Sequence, residues 1–530
     1  MLPHRPPLLP LLFPCLRRSI FLTSHLRIPP TSCSHSTTLH KMAPPLPQDS
    51  SGGSSSSTKR KASTSSDKPI SPPPVKRKAQ SAISQGAVAS FFTPTSQKPK
   101  ERTVWTERSG GDGPPTLLVG RFESEGSEKE TKRRKIAAFD LDSTLIVTSS
   151  GKKFGNDPAD WKWWDPSVPT RLRKLYAEEG YRVVILSNQA GLTLHPDPSA
   201  KGGPKNAGKA KVANFKQKCA AVLSQLNIPT TVYAATARDL YRKPRAGMWR
   251  EACADYGIPE AEVDLEGSVF VGDAGGRTAR VTGGNGGGGG GGKAAATAKD
   301  FSCSDRNFAH NVGIKYLTPE EFFLDEPPRE FARDFDLAGY PYTAGGGDED
   351  GKDGEKEEKE ETLFEKTNAH DVVLFCGPPG AGKSTFFWKY LKPLGYERVN
   401  QDTLKSRAKC FKAAAEFLDD GCSVVIDNTN PDPDGRKEWI DLARKHNAPI
   451  RCIWFKIPRA LCEHNDAVRA LNKPLNPEAR SALPPLAFNG YFSRMREPTV
   501  KEGFQHVLPI EFKFRGTREE YAIWGQYWTG

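Results

Sequence analysis

Short apolar runs rich in β-branched residues alternate with helical stretches between residues 131 and 330. These runs are "KIAAFDLD", "RVVILSNQ", "TTVYAAT" and "SVFVGD", which begin at Lys135, Arg182, Thr230 and Ser268. Such alternation is typical of a parallel sheet whose strands are joined by crossover helices. A further run, "VVLFCG" after Asp371, starts the same pattern again. We therefore predict an α/β protein with two Rossmann-like parallel-sheet domains, at 131–340 and 369–530.

Two glycine-rich stretches interrupt this pattern. Gly283–Gly292 is almost pure glycine, which predicts a flexible surface insertion. The stretch "AGGGDEDGKDGEKEEKEE", from Ala344, is acidic as well as glycine-rich, and this composition is typical of a domain boundary. We predict a linker at 341–368.

The N-terminal region has the composition of targeting and tail segments. Residues 1–42 lack Asp and Glu and contain several arginines, which resembles a mitochondrial transit peptide, but their prolines would break a helix. An extension without function is the alternative. Residues 43–130 are predicted to be a disordered basic tail, because the Ser, Pro and Lys of the first part of this range cannot build a core. Basic clusters at Lys59–Lys61 and Lys76–Lys78 favour an import receptor as partner, and hence the nucleus, with the mitochondrion as a second location.

The tail also contains "QGAVASFF". Adjacent phenylalanines in a polar segment cost solubility unless a partner covers them. The spacing of Gln85, Val88, Phe91 and Phe92 resembles the short box that docks on DNA sliding clamps, although Val88 is a small aliphatic residue for such a box. A sliding clamp is therefore a predicted partner through residues 85–92.

Charge and cysteine content narrow the class of protein. The formal net charge is +13 and the pI is about 9.1, which favours an anionic partner, nucleic acid first. Ten cysteines form no CxxC pair, as is typical of reduced thiols inside cells. No apolar run approaches the roughly 20 residues that cross a bilayer. We expect a monomer with no membrane partner.

Polar residues end several of the apolar runs in the first domain. Asp140 and Asp142 follow the first run, and Ser187 and Asp273 end later ones, while Lys243 lies in a basic loop. In an open parallel sheet such residues meet at one edge. Two carboxylates this close repel each other, and Mg²⁺ held by them would turn the repulsion into coordination.

This set of residues fits phosphomonoester hydrolysis. One carboxylate attacks phosphorus, a second protonates the leaving oxygen, and a divalent cation neutralises the charge. Ser187 and Lys243 would hold the phosphoryl oxygens. "DLDST" matches the DxDx(T/S) signature, so the domain resembles haloacid dehalogenase phosphatases. The resemblance implies Asp140 as nucleophile, Asp142 as general acid and then base, and a metal held by Asp140, Asp142 and Asp273, with Asp305 a weaker candidate.

The second domain opens on a phosphate-binding loop. "GPPGAGKST" follows a strand and precedes a predicted helix, as GxxxxGK(S/T) requires. Its backbone amides and lysine would bind ATP, and Ser384 would coordinate Mg²⁺. Asp402 could accept a proton from an attacking hydroxyl, Asp427 is a weaker candidate, and Arg469 could close over the phosphates. The predicted ATP-binding residues are Gly377, Gly380, Gly382, Lys383, Ser384, Thr385 and Arg469.

A phosphatase and a kinase in one chain make sense if they act on opposite ends of a polymer. The strings "FDLDSTL", "SNQAG", "LYRKPRAGMW", "VFVGDAGGR", "GPPGAGKSTF", "VNQDTL" and "IDNTNPD" together resemble the bifunctional polynucleotide kinase 3′-phosphatases. The resemblance implies a Mg²⁺-dependent 3′-phosphatase and an ATP-dependent 5′-hydroxyl kinase that prepare DNA strand breaks for ligation. Animal relatives carry a forkhead-associated domain, whereas the N-terminal region here has no β-sandwich pattern. The alternatives are an RNA end-healing enzyme and a catalytically dead repair scaffold.

Overall fold

A computed structural model describes residues 102–111, 113–123, 133–153, 155, 157–195, 207–281, 296–342 and 363–530. All of them fall within one compact unit. The predicted transit segment, the import clusters, the clamp box, the glycine insertion and most of the linker lie outside these ranges. None of the helices among the described residues combines the length and the apolar character that a membrane span needs.

The first sheet has seven strands in the order β1-β2-β7-β6-β3-β8-β11. Its strands are β1 (Thr103–Arg108), β2 (Leu117–Phe122), β3 (Ile136–Phe139), β6 (Arg182–Asn188), β7 (Thr230–Ala235), β8 (Val269–Val271) and β11 (Lys315–Leu317). Two-residue strands pair outside it: β4 (Ile146–Val147) with β5 (Lys162–Trp163), and β9 (Arg280–Val281) with β10 (Ala296–Thr297). The helices are α1 (Val168–Ala177), α2 (Ala207–Leu226), α3 (Gly247–Asp255), α4 (Ser304–Val312) and α5 (Pro319–Phe323).

Alternation along β3 divides the core between the two faces of this sheet. Ala137 and Phe139 belong to one buried cluster, and Ile136 and Ala138 belong to the other. Successive side chains of a strand point to opposite faces, so a strand covered on both sides reads as an unbroken apolar run. The parallel pairing of β3 with both β6 and β8 confirms the predicted fold class.

The predicted tail boundary at residue 130 is wrong for β1 and β2. Both strands join the sheet, β1 antiparallel to β2 and β2 antiparallel to β7. The sequence pattern hides β1 because it is an edge strand with several solvent-facing side chains, such as Val104 at 60% exposure. The first sheet domain, as we use the term, therefore covers residues 102–342.

The second sheet has five parallel strands in the order β13-β14-β12-β15-β16. They are β12 (Val372–Cys376), β13 (Tyr396–Val399), β14 (Ser423–Ile426), β15 (Ile450–Phe455) and β16 (His506–Ile510). The helices are α6 (Lys383–Phe386), α7 (Gln401–Leu404), α8 (Arg407–Asp419), α9 (Pro433–Lys445), α10 (Arg459–Leu471), α11 (Pro485–Arg494) and α12 (Arg518–Trp524). We call residues 363–530 the second sheet domain.

One buried cluster joins the two sheet domains. Phe335 and Leu337, which follow the first sheet, pack with Trp524, Tyr527 and Trp528 of the second domain. Burial of aromatic side chains is worth several kcal/mol, so this junction is a substantial contact.

Candidate active sites

Three carboxylates converge at the carboxyl end of the first sheet. Asp140 follows β3, Asp273 follows β8, and Asp305 lies in the first turn of α4. Since β3 and β8 are neighbours, the Asp140 N–H donates to the Val271 carbonyl at 2.9 Å, which sets the two strand ends side by side. One carboxylate oxygen of each acid lies within 4.8 Å of the others.

Lys243 places its ammonium group inside this cluster. Its Nζ lies 2.7 Å from Asp140 Oδ1 and 2.9 Å from Asp305 Oδ1, and the residue is only 3% exposed. The loop is fixed from strand β6, because Lys243 N–H donates to Asn188 Oδ1 at 2.9 Å and Asn188 Nδ2 donates to the Lys243 carbonyl at 3.1 Å. The predicted meeting of Asp140, Lys243 and Asp273 therefore occurs in the structure.

Burial and crowding change the proton affinity of the cluster. Burial raises the pKa of Asp140 above its ordinary range, Lys243 opposes this rise, and Asp305 adds to it. Burial likewise raises the pKa of Asp273, helped by the nearby charges of Asp140 and Asp305. For Lys243, burial alone would lower the pKa, but the two adjoining carboxylates raise it overall.

The same crowding shows that the residues fit a divalent cation. Three carboxylates, of which Asp140 and Asp305 are buried, leave surplus negative charge beside a single ammonium group, and hard cations prefer oxygen ligands. Asp140, Asp273 and Asp305 would hold such a cation. Asp305 was the weaker candidate, because the glycine insertion separates it from Asp273 in sequence.

Asp142 is the exception among the predicted ligands. Its carboxylate is about half exposed and accepts from Gln189 Nε2 at 2.6 Å and from Lys218 Nζ at 3.3 Å. It does not join the carboxylate cluster among the described residues, so metal ligation by Asp142 stays a prediction. Gln189 Nε2 also donates to Ser187 Oγ at 3.0 Å, so Asp142 and Ser187 accept from the same amide nitrogen.

The phosphate-binding loop of the second domain has the expected backbone. Gly380 and Gly382 have φ values of +75° and +83°, a left-handed conformation that glycine adopts without strain. Lys383 Nζ donates to the carbonyls of Gly377 and Pro378 at 3.0 and 2.6 Å. Ser384 and Thr385 lie in α6, directly after the loop.

Ser384 meets Asp427, the weaker candidate of the second site. Ser384 Oγ donates to Asp427 Oδ2 at 3.0 Å, and Asp427 is 2% exposed at the end of β14. Arg398, at the end of β13, donates to the same carboxylate oxygen at 2.5 Å and to Ser384 Oγ at 2.8 Å. Hydroxyl and carboxylate oxygens suit a Mg²⁺ ion accompanying a nucleotide, so Ser384 and Asp427 fit a cation as well.

Asp402 lies apart from Ser384 and Asp427, and a series of ion pairs connects it to them. Arg398 Nη1 contacts Glu478 Oε1 at 3.2 Å, and Glu478 Oε2 contacts Arg480 Nη2 at 2.6 Å. Arg480 Nη1 then lies 3.3 Å from Asp402 Oδ2. Arg469 instead pairs with Asp466 on its own helix, so its contact with ATP stays a prediction.

Sequence reasoning missed the supporting residues of both sites. Gln189 and Asn188 directly follow Ser187 in the run "RVVILSNQ", so their strand-end position was an available signal. Lys218, Arg398 and Glu478 had no such signal, because they reach the sites only through tertiary packing.

Together the two centres define a class of protein: a haloacid dehalogenase-like phosphatase domain followed by a P-loop kinase domain. A family model described as polynucleotide kinase 3 phosphatase matches residues 135–323, and one described as AAA domain matches residues 372–411 and 405–498. A bifunctional polynucleotide phosphatase/kinase of Schizosaccharomyces pombe is 34% identical over 472 residues, which cover 85% of this chain and 99% of that protein. The chain belongs to the bifunctional polynucleotide phosphatase/kinase family.

A further relative matches about a third of the chain. Polynucleotide 3'-phosphatase ZDP of Arabidopsis thaliana is 31% identical over 200 residues, which cover 36% of this chain and 24% of that protein. From here on, the first sheet domain is called the phosphatase domain and the second the kinase domain.

Proposed function

We propose that this protein removes 3′-phosphates from DNA ends and phosphorylates 5′-hydroxyl ends with ATP, so that a strand break can be ligated. The observation that supports the proposal is that one member of this family has two separate groups of residues suited to phosphate chemistry. One is the cluster of Asp140, Lys243, Asp273 and Asp305, and the other is the loop at Gly377–Thr385. The net charge of +13 suits a polyanionic substrate.

The phosphatase reaction is proposed to run through a phosphoaspartate. A carboxylate oxygen of Asp140 attacks phosphorus, the bond from phosphorus to the 3′ oxygen breaks, and Asp142 gives its proton to that oxygen. Asp142 then takes a proton from the water that hydrolyses the acyl phosphate. Lys243 and Ser187 hold the phosphoryl oxygens. Asp140, Asp273 and Asp305 would hold a cation, proposed to be Mg²⁺, which would supply charge neutralisation at the phosphoryl group.

The kinase reaction is proposed to use Asp402 as the acceptor of the proton from the 5′ hydroxyl. The oxygen of the 5′ hydroxyl attacks the γ-phosphorus of ATP, and ADP leaves. Lys383 and the loop amides stabilise the charge of the transferring phosphoryl group. Ser384 and Asp427 would hold the Mg²⁺ that accompanies the nucleotide.

A nicked duplex with a 3′-phosphate and a 5′-hydroxyl tests both reactions together. We expect purified protein with Mg²⁺ and ATP to convert both ends, and a DNA ligase added afterwards to seal the nick. An RNA strand of the same sequence serves as the comparison. Conversion of RNA ends alone would favour RNA end-healing, and conversion of neither end would favour a catalytically dead scaffold.

Location and partners are proposed from sequence alone. The clusters at Lys59–Lys61 and Lys76–Lys78 support nuclear import, with the mitochondrion as a second location, and Gln85, Val88, Phe91 and Phe92 support docking on a sliding clamp. We expect a monomer. Clamp capture that survives the double substitution Phe91→Ala and Phe92→Ala would remove the docking proposal.

A further inference from the structure

A short segment of the kinase domain ends against the phosphatase catalytic loop. Residues 525–530, the 525–530 segment, follow α12, and Tyr527 and Trp528 are buried. Arg245, two residues after Lys243, donates from Nη2 to the Trp528 carbonyl at 2.9 Å. A Cβ placed on Gly530 would lie 2.7 Å from Ser304 Cβ and 3.3 Å from Pro244 Cδ, so the segment touches the loop closely.

Asn311 of α4 connects the segment to the loop through a single amide. Its Nδ2 donates to the Pro244 carbonyl at 2.9 Å and to the Tyr527 carbonyl at 2.7 Å. Its Oδ1 accepts from the Tyr527 N–H at 2.8 Å. Both donor positions of the amide and its acceptor are therefore used at this one junction.

The Tyr527 ring seats the segment against the phosphatase domain. It packs against His310 with ring centroids 5.0 Å apart, and the Arg333 guanidinium lies 4.9 Å from its centroid. The phenol oxygen adds a hydrogen bond to Asp336 at 3.2 Å. The position of the segment thus depends mainly on the Tyr527 ring and only partly on its hydroxyl group.

The loop held in this way carries the lysine that contacts the nucleophile. Asn188 of β6 fixes the Lys243 peptide. Asn311 of α4, in the same domain, donates to the next carbonyl, and the kinase segment holds this Asn311 amide through Tyr527. Ser304, which Gly530 touches, begins the helix whose first turn carries Asp305. The segment therefore contacts residues next to two members of the cluster, Lys243 and Asp305.

We infer that the 525–530 segment of the kinase domain positions the Lys243 loop, so that the phosphatase reaction depends on the kinase domain being folded in place. This inference rests on the proposed phosphatase activity. Asn311 and Tyr527 act as positioning residues through the loop and touch no reacting atom. Since misplacement of a catalytic group by about 1 Å can cost about 100-fold in rate, loss of the amide contacts should be visible in phosphatase kinetics.

The primary test compares Asn311→Ala and Asn311→Asp with the unchanged protein. Either substitution removes the hydrogen bonds donated to Pro244 and Tyr527, and Asp also turns a carboxylate toward their carbonyls. We expect phosphatase kcat/KM to fall about 10- to 100-fold, more for Asp than for Ala, with the loss mainly in kcat. Kinase kcat/KM on a 5′-hydroxyl oligonucleotide should stay within about twofold. Amide hydrogen exchange should quicken in the peptide that covers residues 240–247.

Tyr527→Ala, with Tyr527→Phe as its matched control, tests the contribution of the segment itself. We expect faster exchange in the 240–247 peptide and lower phosphatase activity for Ala, and nearly unchanged behaviour for Phe, which keeps the ring.

Three results would contradict the inference. Unchanged phosphatase activity in the Asn311 variants would do so, as would a loss without faster exchange in the loop, or an equal loss of both activities. If the protein without any substitution lacked 3′-phosphatase activity, the proposed function itself would be wrong.

Discussion

Asp140 and Asp402, the acids proposed to begin the two reactions, lie in opposite surroundings. The Asp140 side chain is 12% exposed and contacts the Lys243 ammonium group, whereas the Asp402 side chain is 75% exposed and lies 3.3 Å from Arg480 Nη1. The difference follows from which molecule supplies the nucleophile. In the phosphatase the enzyme's own carboxylate attacks, so its position must be fixed in advance. In the kinase the nucleophile arrives with the substrate, and the acid must stay open to it.

The cations that accompany these acids differ in the same way. Lys243 is a buried point charge, held by a loop whose peptide groups are bonded on both sides. Arg398 and Arg480 share Glu478 and form a partly buried chain of charges in the kinase site. A planar guanidinium with several donors can exchange partners without losing its charge, which suits a site completed by its substrate.

The largest effect should come from Asp140→Asn. The neutral amide cannot attack phosphorus, so we expect release of phosphate from a 3′-phosphorylated oligonucleotide to fall by about 10⁴-fold or more. Labelling of a 5′-hydroxyl end should be unchanged in the same preparation. Asp325→Asn, at an exposed loop position, is the matched control. If Asp140→Asn abolished both activities, the comparison of two independent centres would be wrong.

The second effect should come from Lys383→Ala. Loss of this ammonium group removes charge stabilisation from the transferring phosphoryl group, so we expect kinase kcat/KM to fall by about 10²- to 10³-fold. Phosphatase activity should be retained, and Lys412→Ala, an exposed lysine of α8, should leave both activities near normal. Kinase activity that survives Lys383→Ala would contradict the proposed nucleotide site.

The residues that could be predicted from sequence are those at the ends of buried parallel strands. Asp140, Ser187 and Asp273 follow apolar runs, and strand direction alone brings them to one edge. The third acid, Asp305, comes from a helix, and β1 is too exposed to read as a strand. Arg398 lies in the strand run "YERV", whose register with β14 decides that it meets Asp427. Such meetings depend on packing between elements distant in sequence.

The effect of acid on stability should also differ between the two domains. Burial lowers the pKa of His464, in α10 of the kinase domain, to about 4. Its Nε2 lies 3.0 Å from the Trp524 carbonyl, and within the described part of the chain Nδ1 has no hydrogen-bond partner. The pKa of the same histidine in the unfolded chain is near 6.5. As the pH falls from 6.5 toward 4, the unfolded chain binds a proton that the folded protein does not bind, so the free energy of unfolding decreases. In the cation-free protein, the raised pKa values of Asp140 and Asp273 act in the opposite direction.

We therefore expect His464 to cost the protein roughly 2 kcal/mol of unfolding free energy between pH 7 and pH 5. His464→Gln keeps an amide donor for Trp524 and does not titrate. Denaturant unfolding of both proteins at the two pH values gives the difference. Equal pH dependence of the two proteins would show that His464 is not kept neutral by the kinase core.

The smallest effect should come from Glu478→Gln, which tests whether the kinase site depends on its chain of charges. The carboxylate holds Arg398 at 3.2 Å and Arg480 at 2.6 Å, and its side chain is 30% exposed, so solvent weakens each contact. We expect kinase kcat/KM to fall about three- to tenfold, since one charge-assisted contact at a partly exposed site is worth about 1 kcal/mol. Phosphatase activity should be unchanged. Glu416→Gln, which removes an exposed helical ion pair with Lys412, is the matched control and should affect neither activity. A loss as large as that of Lys383→Ala would mean that Glu478 belongs to the reacting centre, and the open kinase site described above would then be as rigidly built as the phosphatase site.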